Sequence, residues 1–189
     1  VDGNQHERIQ KINLGVDNLK QMEYSDLFFN PRFYDYIPTE MFLIFQTDSM
    51  IIPENKHRIY EYMEYDYVGA PWPDTNYVTP LQVGNGGFSL RRKSKMLELL
   101  SHNDADYLKH KNISRAVNHY VEDVFFCGMY HEGIHVNKPS YQKASEFAIE
   151  SVYSKNPFAV HAVWKYPPAY YPTLNDYPFI RELVDLNSN

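Results

Sequence analysis

Cysteine is nearly absent: Cys127 is the only one among 189 residues. A lone thiol can form no disulfide within the chain and no cysteine-based zinc site. Following Val124-Phe125-Phe126, it reads as a small buried apolar side chain. Long hydrophobic runs are also missing. Phe42–Phe45 and Val124–Cys127 fall far short of the roughly 18–20 residues that span a bilayer, so no membrane span is expected. There is no excess of positive charge. Lys and Arg total 18 against 24 Asp and Glu, a formal net charge of −6. A phosphate backbone needs a basic face, so nucleic acid is not expected as a main partner. A small phosphorylated ligand remains compatible, because a divalent cation can neutralise its charge. The opening residues, Val1-Asp2-Gly3-Asn4, lack the basic and apolar stretches of a signal peptide, which favours a cytoplasmic location.

Aromatic residues are abundant, with 17 Tyr, 11 Phe and 2 Trp. Such rings serve sugar sites and apolar cores alike, and on composition alone the core is the better use. The length suits one domain, residues 1–189, with a sizeable core. Residues 5–21 show a mediocre helical pattern broken near Gly15. Met41–Phe45 is a continuous apolar run of the kind that forms a buried strand. Helices are expected over Lys56–Met63, after a Ser94 cap, over Glu122–Tyr130 and after Ser140. Strands are expected at Tyr67–Trp72, after the glycine turn 84–87 and at Phe147–Glu150, and the chain closes in a Pro- and Tyr-rich tail. Alternating strands and helices predict an α/β fold with a mainly parallel sheet.

Four elements carry candidate chemistry. Asp48 follows the buried strand, where open α/β sheets place their ligands, although Asp also commonly sits in turns there. Gly84-Asn85-Gly86-Gly87 would let a backbone approach a ligand closely. It matches neither a P-loop nor a dinucleotide fingerprint. Glu122-Asp123 opens a helix, which the helix dipole favours without any function. Apolar neighbours would raise the pKa of such an acid and suit it to general-base work. His161, between Val160 and Ala162-Val163-Trp164, reads by itself as a hydrogen-bonded core residue.

Taken in order, several blocks resemble a group of GT-A-like glycosyltransferases long labelled only as a domain of unknown function. They are Phe45-Gln46-Thr47-Asp48-Ser49, Tyr65–Trp72, Val83–Arg92, Glu122–Phe126 and Asn156–His161. The resemblance spans about Met41 to Trp164. It implies a Rossmann-like GT-A fold and transfer of a sugar from a nucleotide-sugar donor, UDP-sugar favoured, to a glycan, lipid or protein hydroxyl. It places Asp48 at the DXD-type metal position and His161 as the late histidine completing a Mn²⁺ or Mg²⁺ site. It assigns donor and acceptor contacts to Gln46, Thr47, Asn85, Gly86 and Gly87, and the catalytic base to Asp123, with Glu122 second. Trp72 and Trp164 are available as sugar-facing rings. The sequence departs from the DXD pattern, since Thr47-Asp48-Ser49-Met50 supplies one acid only. The strand-helix-strand that binds the nucleoside in GT-A folds is expected to lie upstream of Val1. Two other readings stand beside the enzyme: a non-catalytic nucleotide- or carbohydrate-binding module, and a hydrolase using Asp48 and Asp123 as paired carboxylates.

Overall fold

The computed structural model describes residues 9–73, 83–102, 121–127 and 133–187. Within them the chain is a mixed α/β structure built on two small sheets. In the first, β4 (Phe88–Arg92) lies between β1 (Met41–Phe45) and β3 (Tyr67–Gly69), and both neighbours are antiparallel to it. In the second, β6 (Ala159–His161) lies between β2 (Ser49–Ile51), antiparallel, and β5 (Ala148–Ile149), parallel. The expected mainly parallel sheet is therefore corrected: among the described residues only β5 and β6 pair in parallel. The apolar run 41–45 does form a strand, but only Phe42 in it is buried and Phe45 is 70% exposed, so the expected full burial is corrected as well. Burial does not specify strand direction, because a central antiparallel sheet covered on both faces needs the same residues.

Strand alternation decides what each face of the first sheet meets. Phe88 and Leu90 of β4 enter one apolar cluster with Val68, Tyr62, Phe147 and Phe158. The intervening residues, Ser89 and Arg91, lie on the other face. That face carries an aromatic cluster that includes Phe42, Tyr67, Phe28, Phe125 and Phe126. A guanidinium is thus aimed into a core, and the site below follows from this register. A third cluster, with Ile52, Ile149, Val160 and Val163, joins the second sheet to the C-terminal helices.

Among the described residues six α-helices surround the sheets. They are α1 (Gln21–Phe29), α2 (Lys93–His102), α3 (Glu122–Phe126), α4 (Tyr141–Phe147), α5 (Pro167–Asp176) and α6 (Ile180–Asn187). Several local expectations shift. Residues 9–20 contain no helix, and α1 begins at Gln21. The element expected over Lys56–Met63 is a 3-10 helix, Pro53–Tyr62, started earlier by Pro53 at its first position. Strand β3 stops at Gly69, and Pro71 keeps only an isolated bridge to Val83. Ser94 lies inside α2. The cap is instead Glu40, whose carboxylate accepts from the Ser94 backbone N–H and hydroxyl. The Pro- and Tyr-rich tail folds into α5 and α6, with Pro167 and Pro168 at the N-terminal positions where proline costs no hydrogen bond. The expected C-terminal part of the helix at Glu122, Gly128–Tyr130, lies outside the described residues. No helix among the described residues is long and apolar enough to cross a membrane.

Candidate functional site

The predicted residues converge on the turn Asn85-Gly86-Gly87, which leads into β4. Each glycine faces a different charged group. A Cβ on Gly86 would stand 2.6 Å from Glu122 Oε1 and 2.8 Å from Asp123 Cβ. A Cβ on Gly87 would stand 2.3 Å from the His161 ring and 2.8 Å from Gln46 Oε1. Real Cβ atoms do not approach so closely, so only glycine lets the acid pair and the histidine pack against one turn.

On the Gly86 side, Asp123 Oδ2 accepts from Gly86 N at 3.1 Å and Oδ1 accepts from Val124 N at 2.7 Å. Burial, then the charge of Glu122, pushes its carboxyl up to about 7 against the helping donors. Glu122 pairs elsewhere through one oxygen, while its Oε2 is buried without a hydrogen-bond partner. Its Oε1 lies 3.1 Å from Arg91 Nη2, and the side chains are 4% and 0% exposed. Arg91 also donates through Nε to Ser89 Oγ at 2.9 Å, and Ser89 Oγ donates to Gly86 O at 3.1 Å. The guanidinium carbon lies 5.0 Å from the Phe28 and Tyr67 ring centroids and 5.8 Å from Phe126. Cation–π contact and a buried ion pair together hold a charge that the core could not otherwise tolerate. Asp123 keeps part of its surface and Glu122 is buried, so Asp123 is the acid of the pair able to meet a substrate.

On the Gly87 side, His161 is buried at the end of β6. Its Nε2 lies 3.3 Å from Gln46 Oε1 and 3.2 Å from Asp48 Oδ1. The second contact lacks hydrogen-bond alignment, leaving Asp48 Oδ1 buried and without a hydrogen-bond partner. Nδ1 lies 3.5 Å from Glu150 Oε1, and that oxygen accepts from Asn85 Nδ2 at 2.8 Å. Burial opposes the imidazolium, but Asp48 and Glu150 outweigh it and raise the ring to about 9. Contact with His161, reinforced by Lys165 Nζ at 3.3 Å, lowers Asp48 to about 2 against partial burial. Backbone geometry fixes the approach. Ala162 N donates to Asp48 O at 2.9 Å while Ala162 adopts φ 46°, a left-handed conformation rare for a side-chain-bearing residue.

Among the described residues no group of three or more His, Cys, Asp and Glu is arranged to hold a metal ion. A closed structural metal site is therefore not present among them. An open one is a different requirement. Mg²⁺-type cations commonly take one or two carboxylates and complete their shell with water and substrate phosphate. Ligand atoms at neighbouring corners of such an octahedron lie about 3 Å apart, near the 3.2 Å between Asp48 Oδ1 and His161 Nε2. The orphaned Asp48 oxygen and the Gln46 amide oxygen fit an open cation site of that kind, and the His161 nitrogen joins them only on giving up the proton that its raised pKa favours.

Other expected contacts are less direct. Thr47 borders the cleft beside Asp48. Trp72 packs against the aromatic cluster and the backbone of Gly84. Trp164 packs on the C-terminal cluster. Both rings serve the core. Four participants were not anticipated. Arg91 was given no role from the sequence, and only its place in the β4 alternation could have flagged it. Glu150, Lys165 and Tyr24 are placed by long-range packing and had no local signal.

The protein-family comparison is consistent with this span. A family model described as "Protein of unknown function (DUF5672)" matches residues 8–161. The chain belongs to the DUF5672 family. The family match ends at His161 and thus takes in the glycine turn, the acid pair and the Asp48–His161 contact. No curated protein and no solved structure matches the chain.

Proposed function

We propose that the protein is a nucleotide-sugar-dependent glycosyltransferase of GT-A-like type, with a UDP-sugar favoured as donor and a hydroxyl group as acceptor. The observation that carries this reading is the two-sided glycine turn. It holds a carboxyl tuned to about 7 on one side and an open oxygen–imidazole pair on the other. Sugar transfer needs both functions near one anomeric carbon.

Asp123 takes the acceptor hydroxyl proton as the acceptor oxygen bonds to the anomeric carbon. The bond from that carbon to the diphosphate oxygen breaks, and the nucleoside diphosphate leaves with the electron pair. Gly86 N–H keeps Asp123 oriented. Arg91 neutralises Glu122, so a second free carboxylate does not stand beside the base. Asp48, His161 and Gln46 would hold a Mn²⁺ or Mg²⁺ ion. When bound, the cation supplies Lewis-acid stabilisation of the leaving diphosphate. Lys165 adds a positive charge near the same carboxylate.

The test is a screen of UDP- and GDP-sugars with Mn²⁺, reading donor hydrolysis and transfer. Wild type should release nucleoside diphosphate, Asp48→Asn should abolish release, and Asp123→Asn should bind donor but turn over slowly. Donor binding without turnover in every combination would favour a non-catalytic binding module.

A further inference from the structure

A cleft of about 670 Å³ opens beside the Asp48 turn. One wall is Phe45 through Asp48. The segment Ile12–Leu19 forms the facing wall, and Tyr24 and Asn187 border it. Folding alone does not account for its surfaces. Phe45 ends β1 yet is 70% exposed, and Ile12, Leu14 and Val16 opposite are exposed as well. Both segments of the lining leave apolar side chains uncovered.

The polar groups restrict the occupant. Among the described residues no Lys or Arg lines the cleft, whereas Asp17 and Asp48 do. Among these lining residues an anion finds no counter-charge at the Asp17 end, whereas at the other end Lys165 Nζ lies 3.3 Å from Asp48 Oδ2. Asn13 and Asn18, whose Oδ1 atoms already accept from Gly15 N and Leu19 N, keep their amide N–H donors, and Asn187, whose Nδ2 donates to Thr47 O and Leu183 O, keeps its Oδ1 acceptor. Sugar hydroxyls, which both donate and accept, match such groups, and the C–H face of the ring matches an exposed phenyl face. Tyr24 joins the cleft to the chemistry. It lines the cleft and stands on α1, which packs against α3, the helix that carries Glu122 and Asp123.

We propose that this cleft binds the acceptor and that the acceptor is a neutral carbohydrate. The proposal rests on the transferase reading and names the substrate class of the same site. An acceptor ring packed on Phe45, with its hydroxyls on the asparagine amides, lies beside both Asp48 and Tyr24.

Saturation-transfer NMR on the full chain tests it, with maltose, cellobiose, lactose and chitobiose as neutral probes and sialyllactose and glucuronic acid as anionic ones. At least one neutral disaccharide should bind and the anionic sugars should not. Phe45→Ala should weaken binding at least about fivefold, as for an aromatic anchor. Tyr60→Ala, at a ring 78% exposed outside the cleft, should leave it unchanged. Thermal melting confirms that both variants fold. The proposal is overturned if no neutral disaccharide binds, if anionic sugars bind equally well, or if both variants behave alike. UDP with Mn²⁺ is titrated in parallel. UDP binding without any saccharide response overturns the cleft assignment alone. Saccharide binding without UDP binding overturns the transferase reading and the acceptor role with it.

Discussion

The two sides of the glycine turn handle charge in opposite ways. On the Gly86 side, Arg91 and Glu122 neutralise each other inside an aromatic shell, and the guanidinium has almost no contact with water. On the Gly87 side, Asp48 and His161 touch without a proper hydrogen bond and border an open cleft, with the half-exposed Lys165 beside them. The first arrangement spends charge on fixing a geometry. Both leave a carboxylate oxygen unpaired, Glu122 Oε2 inside the core and Asp48 Oδ1 next to solvent-accessible space, and only the second is placed where a ligand can satisfy it. A site that must hold a base still and accept a cation and substrate needs both.

Breaking the comparison is most informative at its chemical end. Asp123→Asn should lower turnover by about 10²–10⁴-fold, the usual contribution of a general base. In wild type the turnover should rise with pH through about 7 as Asp123 ionises, and steady-state rates across pH should show that limb lost in the variant. The same raised pKa opposes stability. The folded state binds this proton more tightly than the unfolded chain does, so the Asp123 contribution to stability falls as pH rises from about 4 to about 7.

Arg91→Met should destabilise by about 3–5 kcal/mol in urea unfolding, because Glu122 is left as a buried unpaired charge. Adding Glu122→Gln should recover part of that loss. Equal losses in the single and double variants would show that the guanidinium packs without electrostatic need. Gly87→Ala should cost about 1–3 kcal/mol by forcing the turn off the His161 ring, and cation-dependent binding should weaken more than the stability does. Lys165→Ala should change melting least, by about 0–1 kcal/mol, since its side chain is 58% exposed. A large effect there would mean that Asp48 depends on Lys165 more than on His161.

These contrasts also explain how much the sequence revealed. The strand 41–45, the glycine turn and the short helix at Glu122 were legible because apolar continuity, glycine clustering and paired acids are local signals, although the strand buries only Phe42. Strand direction was not legible, since β1 and β4 are 43 or more positions apart at every paired residue and nothing local records the sense of their pairing. The helices α5 and α6 were hidden by prolines, two of which sit at the N-terminus of α5 where they start a helix. In the site, Asp48, Asp123 and His161 were named by residue type and order. Their partners Glu150 and Arg91 were missed because each is defined by what it meets across the fold: Asn85 and His161 for one, Glu122 and three rings for the other. The helical pattern read into residues 5–21 failed for a related reason, because apolar points in the described part face a cleft and solvent instead of a core.

Isothermal calorimetry of UDP with and without Mn²⁺, on wild type and Asp48→Asn, tests the central claim most directly. The account predicts UDP binding that requires Mn²⁺ in wild type and disappears in Asp48→Asn. UDP binding of equal strength without the cation, or binding untouched by the substitution, would contradict it.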